Sequence, residues 1–224
     1  MPSSIFSHQA PALLIKMKYP RRIDGTALCI STFIPDLGFL LDPLISFPSR
    51  NISHSFLGIL LWTIPLTILF TILFSKYCGP AISEYARKDG FLPNQFKYFG
   101  LDKWNKLKFK SFNKRFYFVA FYSAIIGGLT HLLLDLPSHE NIELFFPWLL
   151  LKSPDFLLIP LIDYGVISIG QDQLHAVFTI YQLIWILETI VFWILSLYLL
   201  RYMKKNDLID KWDESKIYSS IKVQ

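Results

Sequence analysis

The stretch 116–139, FYFVAFYSAIIGGLTHLLLDLPSH, decides how the chain folds. Its first 19 residues, Phe116–Leu134, contain no Asp, Glu, Lys or Arg, and about 20 residues of helix cross a hydrocarbon core. His131 and Asp135 close this apolar run four residues apart, and His139 and Glu143 continue the spacing. Positions i and i+4 share a helix face. His131 and Asp135 can therefore reach one cation with an imidazole nitrogen and a carboxylate oxygen, ligands that suit zinc. Pro137 predicts a helix end just beyond them, which puts His139 and Glu143 in the following turn. The same pair can equally serve as a helix-end cap or a hydrogen-bonded couple, and the pair alone does not separate these readings.

Outward from this stretch, two further segments have the same character. Phe56–Phe74 is another 19 residues without charge, and Ala176–Leu200 is 25 residues whose only charge is Glu188. With 53% hydrophobic and 17% aromatic residues in 224, the chain is more apolar than soluble domains of its size. The N-terminus lacks a basic cluster ahead of a continuous apolar segment and a small-residue cleavage pattern, so it reads as retained rather than as a secretory signal. Cys29 and Cys78 are isolated and form no redox or zinc spacing. The fold class expected is an all-α integral membrane helical bundle, a single domain over 1–224.

Charge orients the spans. Ten of the 22 Lys and Arg residues lie in 76–115 and six follow Leu200, whereas 137–173 carries only Lys152. By the positive-inside bias the loop 76–115 and the tail 201–224 are cytoplasmic, as is the C-terminus, in a multi-pass protein of the cell membrane. The segment 25–47 is apolar but contains Pro35, Asp36 and Asp42. If it spans, 20 of the 22 basic residues lie inside; if it is re-entrant, Lys16, Lys18, Arg21 and Arg22 join Arg50 and Lys152 outside. Charge favours a span, whereas the cost of a carboxylate in mid-bilayer favours a re-entrant segment.

Residues 84–115 interleave lysines such as Lys97, Lys106, Lys108 and Lys110 with Phe96, Tyr98, Trp104 and Phe109. A stretch of this kind between two spans is expected on anionic lipid headgroups, not on nucleic acid. Four of the five histidines precede residue 140 in the company of carboxylates, in the order His8, Asp36, His54, His131, Asp135, His139. Histidines and carboxylates that can bridge are the parts of a dinuclear hydrolytic site, where metals about 3.5–4 Å apart activate water and neutralise a phosphoester.

Four motifs carry a resemblance: Phe6-Ser7-His8-Gln9-Ala10, Pro35-Asp36, His54-Ser55-Phe56-Leu57-Gly58 and Thr130-His131 followed by Asp135. With their surroundings they resemble an uncharacterised family of small prokaryotic membrane proteins patterned F-x-H-x-A, A-P-D, H-S-x-x-G and T-H-x-x-x-D, over most of 1–180. More distantly, the order is similar to that in YdjM-like inner-membrane metal-dependent hydrolases and in the zinc-dependent phospholipase C and nuclease superfamily. That resemblance implies a divalent metal, zinc above all, held by Asp36, His54, His131 and Asp135, with Asp135 bridging to a second ion partly held by His8. His139 would ligate another metal or stand behind the ligands. It further implies hydrolysis of a phosphoester, such as a lipid headgroup, by metal-activated water. The soluble enzymes carry a further H-x-x-x-E pair, matched here only by His139 and Glu143, so a third metal is not supported. His175, just ahead of the last span, reads as an interfacial side chain.

Other chemistries leave weaker traces. There is no G-x-S-x-G elbow at Ser53 or Ser55 and no phosphate-binding glycine loop. Two rivals to the hydrolase remain: a non-catalytic bundle whose polar cluster ties helices together, and a small transporter or channel with Asp36 and Glu188 along its path. Substrate and oligomeric state are left open.

Overall fold

The computed structural model describes residues 4–38, 49–138, 141–169 and 172–212. Three helices long and apolar enough to cross a membrane make its frame: Phe56–Ala86, Lys114–Asp135 and Ile180–Lys205. The protein is a helical membrane bundle with small sheets at one end.

The first span begins where the Ser55 hydroxyl accepts the Gly58 amide at 3.0 Å. It widens into π turns at Ile59–Thr63 and Phe74–Cys78, each just ahead of a proline, Pro65 and Pro80. A proline has no amide donor and its ring presses on the carbonyl four residues back, and a wider turn relieves both problems. The helix therefore runs on through Lys76 to Ala86 rather than stopping at Phe74. The second span is capped by the Asn113 side chain, which accepts the Phe116 amide at 3.0 Å, and it ends at Asp135 in a 3-10 turn through Pro137. The third starts at Ile180, with a capping box between Thr179 and Gln182.

Residues 141–179 depart from the all-helical expectation. β1 (Asn141–Phe145) pairs antiparallel with β2 (Leu149–Lys152), and β3 (Pro160–Ile169) with β4 (Asp172–Thr179). The apolar run from Ala176 thus begins as strand and turns helical only at Ile180. The β3–β4 register shifts at Gly165, whose positive φ of 72° suits glycine and whose amide donates to Asp163 Oδ1 at 2.8 Å.

The N-terminal helices Gln9–Lys18 and Gly25–Ser31 form a hairpin with both open ends at the site end of the bundle. There Gln9 Nε2 donates to the Cys29 carbonyl at 3.0 Å and to Thr32 Oγ1 at 2.8 Å. Ten residues of helix measure about 15 Å, half of a bilayer core. The closed end is met by groups from the basic loop and the chain's C-terminal part. Lys16 Nζ is buried and donates to the carbonyls of Pro20 and Ile23. Asp24 caps the second helix by accepting the Ala27 amide at 2.9 Å and pairs with Lys110, and Trp212 Nε1 donates to Thr26 Oγ1 at 3.1 Å.

The hairpin covers only residues 25–38 of the apolar segment 25–47. The carboxylate of Asp36 returns to the site end, while Arg21 and Arg22 at the turn stand beside Arg115, next to the basic loop. Residues 39–48, including Asp42, lie outside the described residues.

Gly127 and Gly128 let three elements converge. A Cβ at Gly127 would stand 1.9 Å from Ser31 Oγ and 2.6 Å from the Leu28 carbonyl, and one at Gly128 would meet Thr63 Cγ2 at 3.2 Å. The missing side chains bring the hairpin and the first span against the second.

Part of the basic loop packs against the bundle rather than facing headgroups. After Ala86 it forms a helix at Phe91–Tyr98 and a 3-10 stretch at Leu101–Phe109. Lys110, expected on headgroups, is instead buried against Asp24, because a capping carboxylate out of water requires a counter-charge. Trp104 likewise turns inward, its ring 5.4 Å from that of Phe74 and 6.1 Å from that of Trp212. Arg201 joins the loop to the third span, donating to the Tyr98 carbonyl at 2.8 Å.

Candidate metal centre

Four elements deliver five side chains to one place. His8 precedes the hairpin, Asp36 follows it, His54 stands just ahead of the first span, and His131 and Asp135 lie on the last turn of the second. Trp62 fixes the approach of Asp36, its Nε1 donating to the Ile34 carbonyl at 3.1 Å.

The atoms converge closely. His131 Nε2 lies 3.1 Å from Asp135 Oδ2, 3.3 Å from His54 Nε2 and 3.8 Å from Asp36 Oδ1. His54 Nε2 is 3.3 Å from Asp36 Oδ1 and 3.5 Å from Asp135 Oδ2, and His8 Nε2 is 3.4 Å from Asp135 Oδ1. The His8 and His131 rings sit 4.4 Å apart. Two groups can therefore each offer atoms mutually within 4.8 Å: His8 with Asp36 and His131, and His54 with His131 and Asp135.

The surroundings fix which nitrogens face inward. His131, fully buried, has its Nδ1 2.7 Å from the Thr32 carbonyl. A carbonyl only accepts, so Nδ1 carries the proton and the Nε2 of a neutral ring turns a lone pair to the centre. His54 Nδ1 lies 3.0 Å from Ser53 Oγ, which leaves its Nε2 facing the carboxylates. Imidazoles that ligate metals are oriented through their other nitrogen in this way. Asp135 divides its oxygens, Oδ1 toward His8 and Oδ2 toward His54 and His131.

Of the other residues read from the sequence, His139 lies outside the described residues and Glu143 falls on β1. His175 is on β4, exposed and 3.0 Å from Asp163, apart from the cluster. Glu188, on the third span, has a buried Oε1 without a hydrogen-bond partner among the described residues. The sequence marked Glu188 as an intramembrane carboxylate. The Thr32 carbonyl carries no side-chain signature and could not be found by motif.

A largely buried cluster of three imidazoles and two carboxylates, at the ends of two spans and the N-terminal hairpin, marks the class: a helical membrane protein with a His/Asp cluster at one end of its bundle. The chain matches the family model described as a domain of unknown function, DUF4184, over residues 1–217, and it belongs to that family. No curated protein and no solved structure matches it. The wider likeness to YdjM-like hydrolases and to the phospholipase C superfamily finds no match in these comparisons.

Proposed function

We propose that the cluster binds a divalent transition metal of the zinc type, and that the protein is a metal-dependent hydrolase of a phosphoester at the membrane surface, such as a lipid headgroup. The observation that carries this reading is the spacing of the donor atoms. A tetrahedral ion with bonds of about 2.0–2.1 Å holds its ligand atoms roughly 3.3–3.4 Å apart. Hydrogen bonds between imidazolium and carboxylate close to about 2.7–2.9 Å. Separations of 3.1–3.8 Å span the first value, and the 3.3 Å between the inward Nε2 atoms of His54 and His131 matches it. Charge supports the same reading: with neutral imidazoles, Asp36 and Asp135 bring two negative charges to a largely buried site, and a divalent ion offsets both.

In this reading Asp36, His54, His131 and Asp135 are the principal ligands. The divided oxygens of Asp135 suit a bridging carboxylate, with His8 contributing to a second position. A metal held here by these residues would supply Lewis acidity and would lower the pKa of a water. Positive-inside bias puts the basic end and the C-terminus in the cytoplasm and the site on the opposite side, and exposed Lys106 and Lys108 with Phe109 can rest on anionic headgroups.

The test is metal analysis of the purified full-length protein with phosphodiesterase assays on the same samples. A stoichiometric transition metal, lost in His131→Ala and in Asp135→Ala together with hydrolysis, is expected. Full metal content in both variants refutes the site. Metal without hydrolysis of any phosphoester headgroup leaves the site and removes the hydrolase. Ion flux in vesicles that survives chelation would favour instead a path past Asp36 and Glu188.

A further inference from the structure

A groove of about 530 Å³ lies away from the histidines, between the turn of the N-terminal hairpin and the first half of the second span. Arg21, Arg22 and Arg115 stand around it. Phe118, Tyr122 and Ile126 line it at successive turns of one helix face. From these residues we infer that the groove binds an anionic phospholipid from the bilayer, with its phosphate among the arginines and an acyl chain along the aromatic wall.

The depth of the turn is the first reason. The Tyr122 hydroxyl donates to the Arg22 carbonyl, which pins the turn seven residues along the span from Arg115. Seven residues of helix are about 10 Å. Two arginines are thus anchored beside a segment without charge, and among the described residues neither guanidinium has an acidic partner. A cation at that depth is costly unless its side chain reaches the interface and meets an anion there. Guanidinium forks match phosphate oxygens, and a cluster of three gives a preference that a single lysine does not.

The shape of the groove is the second reason. Phe118 is 69% exposed on the membrane face of a span, so the wall lies open to lipid rather than to a folded partner. A free phosphate would use only the arginines, whereas a phospholipid uses the arginines and the wall. Arg115 ends the basic stretch 84–115, whereas Arg21, Arg22 and the aromatic wall lie outside it; the site is apart from the metal centre, and it stands whether or not the protein is a hydrolase.

The experiment is native mass spectrometry of the full-length protein released from nanodiscs of phosphatidylglycerol and phosphatidylcholine in equal parts. The wild type is expected to retain phosphatidylglycerol over phosphatidylcholine by at least about tenfold, since each basic residue near an anionic headgroup contributes about 1 kcal/mol. The triple variant Arg21→Gln, Arg22→Gln, Arg115→Gln should lose that preference, and the triple Lys variant should keep part of it. Should the triple Gln variant fail to fold, Arg21→Gln with Arg22→Gln takes its place, and Phe118→Ser reads the wall by weakening retention of both lipids. An unchanged preference in the Gln variant overturns the proposal. Displacement of phosphatidylglycerol by inorganic phosphate alone also overturns it, because the site would then bind an anion and not a lipid.

Discussion

Replacing Gly127 by alanine tests whether close packing of the hairpin positions the histidines. The new Cβ would lie 1.9 Å from Ser31 Oγ and 2.6 Å from the Leu28 carbonyl, against about 3.5 Å for an unstrained contact. The Ser31 hydroxyl can rotate away, but Leu28 offers a backbone atom that no rotamer change moves, so the hairpin must retreat by about 0.9 Å. Thr32, the next residue after Ser31, holds His131 Nδ1 at 2.7 Å, and that retreat breaks the bond. Overpacking costs about 1–3 kcal/mol and the lost hydrogen bond about 1 more. The expected fall in Tm is roughly 5–15 °C for a chain of this size. Because His131 loses its orienting acceptor, metal affinity should fall about 10- to 100-fold. Gly128→Ala is the control, since its neighbours at 3.2–3.3 Å are side-chain atoms of Thr63 and Ile59 that can yield. Thermal melting in detergent and a zinc competition titration read the two effects. Equal behaviour of Gly127→Ala and Gly128→Ala would refute the coupling.

Other outcomes follow from the same contacts. Lys110→Ala leaves the Asp24 carboxylate buried without its counter-charge and should cost about 3–5 kcal/mol, measured by denaturation, with Asp24→Asn in the same chain recovering part of the loss. His175→Ala touches only an exposed pair with Asp163 and should change stability by less than about 0.5 kcal/mol and metal content not at all. Metal occupancy should fall on acidification from about pH 7.5 to about pH 5, because imidazole and carboxylate bind only when deprotonated and binding releases protons. Equilibrium dialysis checks this, and occupancy that rises with acid would contradict the donor set.

Composition made the spans legible where it was uniform. Phe56–Phe74 and Phe116–Leu134 announce themselves by the absence of charge, whereas the continuation of the first helix through Ser75, Lys76 and Tyr77 does not. β3 escaped notice because its residues Leu161, Ile162, Tyr164 and Val166 are all exposed, so no alternation of buried and polar positions marks the strand. The half-depth hairpin was hidden for another reason. Lys16 is held on two carbonyls and Asp24 on Lys110 inside the protein, and a count of charges along the chain does not register such pairings. Within the site, the i, i+4 spacing pointed to His131 and Asp135 directly, and His8, Asp36 and His54 were found through motifs far apart in the chain. The Thr32 carbonyl depends on packing that no single segment encodes.

The most direct test of the account is X-ray absorption at the zinc edge on the purified protein. It predicts a first shell of nitrogen and oxygen at about 2.0–2.1 Å, with outer-shell scattering from imidazole that diminishes in His54→Ala and disappears with the metal in His131→Ala. A metal-free protein after growth and purification with zinc present, or an absorption spectrum unchanged by both substitutions, would contradict it.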